Sequence, residues 1–196
     1  MAILPITVLG APILRQETVP VAAVTDELRD LADQMLETMH AAPGIGLAAP
    51  QVGRTERLCV VSVDDRTYTL FNPEIVAREG KLRWEEGCLS IPEVFGWVDR
   101  AAWVKVRALD RTGAPIEVEG TDLLGVCLQH EIDHLHGKLF IDHLSFLKRR
   151  QALAAWEEEK AKYPDLLRIL KPGDTDTPHP LPTPPAPYRR RRRLPP

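Results

Sequence analysis

The sequence predicts an α+β fold: strongly bent, mostly antiparallel sheets packed around a central helix, with an N-terminal and a C-terminal helix. Three observations predict it. Between Leu58 and Glu119 the chain is a succession of short alternating runs broken by turn residues. The stretch from Thr121 to His136 has helical character but is apolar on most sides, so it must be surrounded by protein. Two further helical segments, starting near Thr25 and near Ser145, flank these parts. One buried helix against bent sheets is a layered α+β arrangement.

Thr25-Asp26-Glu27 supplies an N-cap hydroxyl and two acids for a first turn. Leu28, Leu31, Ala32, Met35, Leu36 and Met39 then recur at helical spacing, and Pro43-Gly44 closes the helix. Gly44 to Gln51 reads as a loop, unusually apolar for a surface turn. Leu58–Val63 is a Val-rich strand, and Tyr68–Phe71 a second short one stopped by Asn72-Pro73. Glu74–Trp84 is extended, Trp97–Leu109 alternates as one or two strands, Asp110–Gly113 turns, and Pro115–Glu119 is a further strand. Thr121 or Asp122 caps the central helix, which Gly137 stops. The last helix covers roughly Ser145 to Lys162, with Leu147, Leu153, Ala154 and Trp156 as its apolar positions.

The 196 residues suit one domain of ordinary size plus a tail: a catalytic domain over 1–170 and a segment over 171–196. Nine of the last 26 residues are proline and almost none are aliphatic, so that segment is expected to be disordered. The net charge of −3 excludes a generic nucleic-acid binder. The charge is uneven, because 171–196 carries +4 and leaves −7 on the rest. The first basic residue is Arg15, so the apolar start lacks the basic region of a secretory signal, and no run reaches the ~20 apolar residues of a membrane span. Cys59, Cys88 and Cys127 lack the spacing of a disulfide framework. A soluble cytoplasmic protein with free thiols is expected.

The chemistry is carried by His130-Glu131-Ile132-Asp133-His134. Histidines four apart on a helix share one face and can bind one ion. Glu131 lies beside the first of them, where it can exchange protons with a metal-bound water. Two histidines and a glutamate are costly in an apolar helix unless something pairs with them, which argues against a chance match.

Two nitrogens need a third ligand. A metzincin pattern requires His where Phe140 stands. Asp142, Glu157 and Glu158 are the carboxylates a thermolysin-like site would draw on; the first follows a helix break and the others sit on an exposed helix. Cys88 is the better candidate, flanked by Gly87 and Leu89 between two extended stretches with no partner cysteine nearby. Cys59 and Cys127 read as small buried hydrophobes.

Three motifs now stand in order: Gly44-Ile45-Gly46-Leu47-Ala48-Ala49-Pro50-Gln51, Glu86-Gly87-Cys88-Leu89-Ser90, and the histidine motif. Together they resemble peptide deformylase, a resemblance that runs from about Val8 to about Tyr163 and includes Phe71-Asn72-Pro73-Glu74 and Gly137-Lys138-Leu139-Phe140. The resemblance implies that Cys88, His130 and His134 bind one divalent ion, Fe(II) foremost, with zinc, nickel or cobalt able to fill the same ligands. It implies that Glu131 is the general acid/base and that Gln51 and the Leu89 N–H steady the oxyanion. Gly44, Ile45 and Gly46 would pair with the substrate backbone. Ile45, Trp84, Glu86, Leu123, Val126, Cys127 and His130 would surround a methionine side chain. The implied substrate is the N-formylmethionine end of a nascent polypeptide, deformylated by a cytoplasmic monomer. Trp84 is bulkier than the aliphatic residue expected there. Arg189–Arg193 could meet ribosomal RNA near the exit tunnel, although a solvated tail is the simpler reading. A zinc endopeptidase, indifferent to Cys88, is the main alternative; a binding module with the fold but no activity is the other.

Overall fold

The structure, a computed structural model, describes residues 2–170. The expected segment over 171–196 lies outside the described residues. The chain runs β1 (Ile6–Thr7), α1 (Asp26–Ala41), β2 (Gly46–Ala48), β3 (Leu58–Val63), β4 (Arg66–Glu79), β5 (Leu82–Cys88) and β6 (Ile91–Arg100). It continues through β7 (Trp103–Leu109), β8 (Pro115–Thr121), α2 (Asp122–Leu135), α3 (Phe146–Glu159) and β9 (Leu167–Arg168). All pairings between these strands are antiparallel. Five strands form a sheet in the order β2-β3-β4-β7-β8, while β5 with β6 and β1 with β9 form separate pairs.

The period-2 geometry of β3 explains how the five-stranded sheet holds two helices. Cys59, Val61 and Val63 face a cluster with Leu124, Leu128, Ile132 and Leu135 of α2. Leu58 and Val60 face the opposite cluster, with Leu31, Ala32, Met35 and Met39 of α1. A third cluster joins the β5–β6 hairpin to α3 through Val94, Val98, Phe140 and Trp156. Thr25 caps α1 as expected, accepting from the Leu28 N–H.

Three expectations need correction. Asn72-Pro73 does not stop a strand: β4 runs on to Glu79, with a register shift between Phe71 and Glu74. The bulge tolerates a proline that has no N–H to give. Asn72 takes a positive φ of 50° there, and its amide bonds both the N–H and the carbonyl of Val21 at 2.8 Å. The Gly44–Gln51 loop contains ordered structure, because Gly46–Ala48 pairs with β3 and residues 49–52 form a 3-10 turn. On α3, Ala152 and Trp156 are buried, whereas Leu147 is 63% exposed and Leu153 and Ala154 also face outward. The helix touches the β5–β6 hairpin along one narrow (i, i+4) stripe that ends in Trp156, so its other apolar side chains are left uncovered among the described residues. It also ends at Glu159, with Lys160–Lys162 tightening into a 3-10 turn.

Candidate metal centre

The centre lies where the end of β5 meets the middle of α2. His130 and His134 project from one face of α2, and Cys88 closes β5 just before its hairpin turns back. The candidate ligand atoms of Cys88, His130 and His134 all lie within 4.8 Å of one another. Cys88 Sγ is 3.2 Å from His134 Nε2. This is the one grouping of three or more His, Cys, Asp or Glu donors suited to an ion among the described residues. Asp142, weighed above as a ligand, instead pairs with Arg15 at 2.5 Å. An endopeptidase built on a carboxylate or third histidine therefore finds no such ligand in this grouping.

A second partner orients His130. His130 Nδ1 is 2.8 Å from Glu86 Oε2, which leaves Nε2 for an ion. The Glu86 carboxylate is gripped by Arg100 Nε at 2.6 Å and Nη2 at 2.9 Å. Arg100 reaches Asp133 at 2.5 Å, and His143 Nε2 meets Asp133 at 2.7 Å. Burial alone would push the Glu86 carboxyl up, but Arg100 and His130 more than reverse this and hold it near 2. Burial pushes His134 down, toward the neutral form a ligand needs. Burial also lowers His130, yet Cys88 and Glu86 outweigh it and raise its proton affinity, which a bound cation would answer instead of a proton. The donor set fits a divalent ion: one thiol and two imidazoles converge, as in sites that keep a coordination position open.

Glu131 is buried, and burial pushes its carboxyl up to about 7. Its Oε2 has no hydrogen-bond partner among the described residues. Gly46 makes room for it, because a Cβ at Gly46 would stand 2.7 Å from Glu131 Cδ and 2.8 Å from Cys127 Sγ. Gln51 is fixed at both ends. Its Oε1 accepts from the Ala48 N–H at 2.8 Å, so its Nε2 must face Ser90 Oγ at 3.2 Å and Cys88 Sγ at 3.6 Å.

A cavity of about 330 Å³ opens beside these groups. Gly44, Ile45, Gly46, Gln51, Trp84, Glu86, Cys88, Leu89, Leu123, Val126, Cys127, His130 and Glu131 all line it; His134 is buried behind the ligand atoms. β2 is the edge strand of its sheet, so among the described residues one side of its backbone has no strand partner. Glu86 reaches the lining, but its carboxylate is committed to Arg100 and His130.

The sequence reading missed Arg100, Asp133, His143, Ser90, Tyr163 and Arg168. A signal existed for Arg100: two acids inside buried motifs, Glu86 and Asp133, require a cation nearby. Nothing local marks Tyr163 or Arg168, which reach the cavity only through the path of the chain after α3.

A family profile described as "Polypeptide deformylase" matches residues 3–150. The peptide deformylase of Hydrogenovibrio crunogenus is 54% identical over 152 residues, covering 76% of this chain and 90% of that protein. That of Alkalilimnicola ehrlichii is 53% identical over 155 residues, covering 77% and 87%. Among solved structures, the Legionella pneumophila peptide deformylase superposes with a TM-score of 0.79 at 44% identity, over 82% of this chain and 97% of that one. The Synechococcus elongatus peptide deformylase, solved with actinonin, gives 0.75 at 41% identity over 79% and 86%. With a family profile over residues 3–150, relatives more than 50% identical over three quarters of the chain, and solved relatives that share its fold, the chain belongs to the polypeptide deformylase family.

Proposed function

We propose that the chain removes the formyl group from the N-terminal N-formylmethionine of newly made polypeptides. The observation that carries this reading is the convergence of Cys88, His130 and His134 beside a buried, unpartnered Glu131 oxygen and a Gln51 amide held by the Ala48 N–H. A divalent ion held by the triad supplies Lewis acidity toward water and toward the formyl carbonyl.

The chain's own groups do the rest. The backbone of Gly44–Gly46, leading into the edge strand β2, lies along the cavity and is suited to hydrogen-bonding an extended peptide as an added strand. Ile45, Trp84, Leu123, Val126 and Cys127 offer the apolar wall for the methionine side chain, with Glu86 and His130 behind it. The Gln51 Nε2–H and the Leu89 N–H stabilise charge on the formyl oxygen, and their fixed orientation means little reorganisation is needed. Glu131 accepts a proton from water and delivers it to the departing amine; its burial, which raises the carboxyl, favours the protonated form that the second step needs.

Fe(II) is the ion we assign, with zinc, nickel and cobalt as substitutes for the same thiolate and imidazole set. Residues 1–170 form the catalytic domain, acting as a cytoplasmic monomer, and Arg189–Arg193 is the segment that could approach ribosomal RNA. Among the described residues no helix is long and apolar enough to cross a membrane.

Turnover of a formyl-Met dipeptide by anaerobically purified protein tests the reading. Glu131→Ala should abolish turnover and keep the metal, and Cys88→Ala should lose the metal. Full activity in the first variant, or stoichiometric metal in the second, would sink it.

A further inference from the structure

The β5–β6 hairpin has one face that the core does not use. Val94 and Val98 point inward from β6, so Glu93, Phe95, Trp97 and Asp99 point outward by the period of two. β5 brings Arg83 opposite Asp99 and Glu85 opposite Trp97 on that same face. Two large aromatics therefore stand side by side among charges, Phe95 37% and Trp97 45% exposed. Adjacent exposed aromatics rimmed by polar groups mark an interaction site, whereas a single one would need no explanation. Trp97 also differs from Trp103 and Trp156, whose Nε1 atoms donate to Glu119 at 3.3 Å and to the Leu9 carbonyl at 3.1 Å. Its indole N–H has no such partner among the described residues.

The position of this shelf identifies what covers it. Phe95 lines the cavity, and so do Tyr163 and Arg168 near the end of the described chain. Leu170 is the last described residue, so residues 171–196 depart from the rim of the cavity that Phe95 borders. At roughly 3.1 Å per residue in a polyproline II helix, residues 171–180 span about 31 Å. That is more than enough to cross a cavity of about 330 Å³.

The next part of the segment suits an aromatic shelf. It reads Leu181-Pro182-Thr183-Pro184-Pro185-Ala186-Pro187, a sequence suited to the polyproline II helix with its three residues per turn. At that period Leu181, Pro184 and Pro187 fall in one column and Pro182 and Pro185 in the next, which leaves Thr183 and Ala186 for the third. Two neighbouring columns of proline make one apolar ridge. Such ridges pack on aromatic side chains, their carbonyls accept from an indole N–H, and a preformed helix has little entropy left to lose. The five arginines at 189–193 follow, facing a body that carries −7 and sets Glu93 at the cavity end of the shelf.

We propose that residues 181–187 dock in cis, as a polyproline II helix, across Phe95 and Trp97 beside the mouth of the cavity. The occupant is this chain's own segment because it starts at the rim, which holds it at an effective concentration on the order of millimolar. The docking uses none of the groups assigned to the reaction, so it stands apart from the deformylase reading.

The test is nuclear magnetic resonance of the full chain loaded with zinc, a diamagnetic ion that suits the donor set. The Trp97 indole signal is identified by its loss in Trp97→Ala. Cross-peaks are expected between that indole and proline ring protons, with an intensity per molecule that dilution does not change. In a variant carrying Pro182→Ser, Pro184→Ser, Pro185→Ser and Pro187→Ser together, the cross-peaks should vanish and the indole signal should move. Those prolines lie outside the described residues, so the variant leaves the contacts within residues 2–170 intact. Trp97 signals identical in the parent and the proline variant would overturn the proposal. Cross-peaks that fade on dilution would give the shelf to a second copy of the chain. A Trp97 signal that moves only when a formyl-Met peptide is added would give it to the substrate. Either result would overturn docking in cis.

Discussion

Gly46→Ala adds one methyl group where the proposed general acid/base, Glu131, sits. Gly46 does not have a positive φ, so its backbone accepts alanine without strain and any effect must come from space. The new Cβ would stand 2.7 Å from Glu131 Cδ and 2.8 Å from Cys127 Sγ. Ordinary carbon contacts need about 3.5–4.0 Å, so something must retreat by ~1 Å. Glu131 and Cys127 both belong to α2, and that helix is packed on the five-stranded sheet, so the carboxylate is the freer part. A 1 Å misplacement of a reacting group costs on the order of 10²-fold in rate. Overpacking a tight site costs a further ~1–3 kcal/mol of stability. The assay is kcat on a formyl-Met peptide, with metal content and urea unfolding measured on the same sample. Gly53→Ala is the control: Gly53 has a φ of 74° and nothing within 4 Å of its Cβ, so it should lose about 1 kcal/mol of stability and no kcat. If Gly46→Ala keeps its metal and a kcat within about threefold of the parent, less than ~1 kcal/mol of barrier, the close approach to Glu131 has no catalytic meaning.

Gln51→Leu should lower kcat by roughly 10²–10³ with metal retained, because one oriented oxyanion donor is gone; a loss confined to KM would contradict that role. Arg100→Leu should destabilise the protein by ~3–5 kcal/mol in urea unfolding, since it strands the buried Glu86 and Asp133 charges; a change under ~1 kcal/mol would mean water reaches them. The acid limb of stability follows from Glu86, whose carboxyl is held at about 2 in the fold against an ordinary 4.5. A depressed carboxyl stabilises fully above 4.5, and the contribution, about 3 kcal/mol, drains away as pH falls from there toward 2. Metal-free protein should show this loss in urea titrations, and Arg100→Leu should flatten it. An unchanged acid limb in the variant would assign the loss to other carboxylates.

The sequence was most informative where one periodicity carried one role. The 3.6 spacing of α1, the alternation of β3 and the buried character of α2 were legible because burial alone dictates them. The grouping of Cys88 with His130 and His134 was legible from residue chemistry: two histidines one turn apart, and one cysteine in a place where a hydrophobe would not need to be. The limits are equally physical. Asn72-Pro73 carries the residues of a turn, yet a tertiary bond from Asn72 to Val21 turns it into a bulge within a strand. Leu147 and Leu153 are apolar residues of a helix, but what a helix face meets depends on the partner, and here the partner is narrow. Arg100 meets Glu86 and Asp133 across a strand pairing and a helix packing that no local window contains.

The placement of Cys88 has a thermodynamic consequence. The two histidines are neighbours on one helix, but the thiol lies 46 residues before His134 and belongs to a hairpin that shares no strand with the main sheet. An ion held by all three is thus a removable staple between two parts of the molecule. Closing a loop of that length covalently is worth ~4 kcal/mol on the chain-entropy scale used for disulfides, and a coordinate bond to the thiolate acts on the same unfolded chain. Oxidation of Cys88 would open the staple as well as disable the centre, leaving the β5–β6 hairpin joined to α2 by the polar links of Arg100 to Asp133 and of Glu86 to His130.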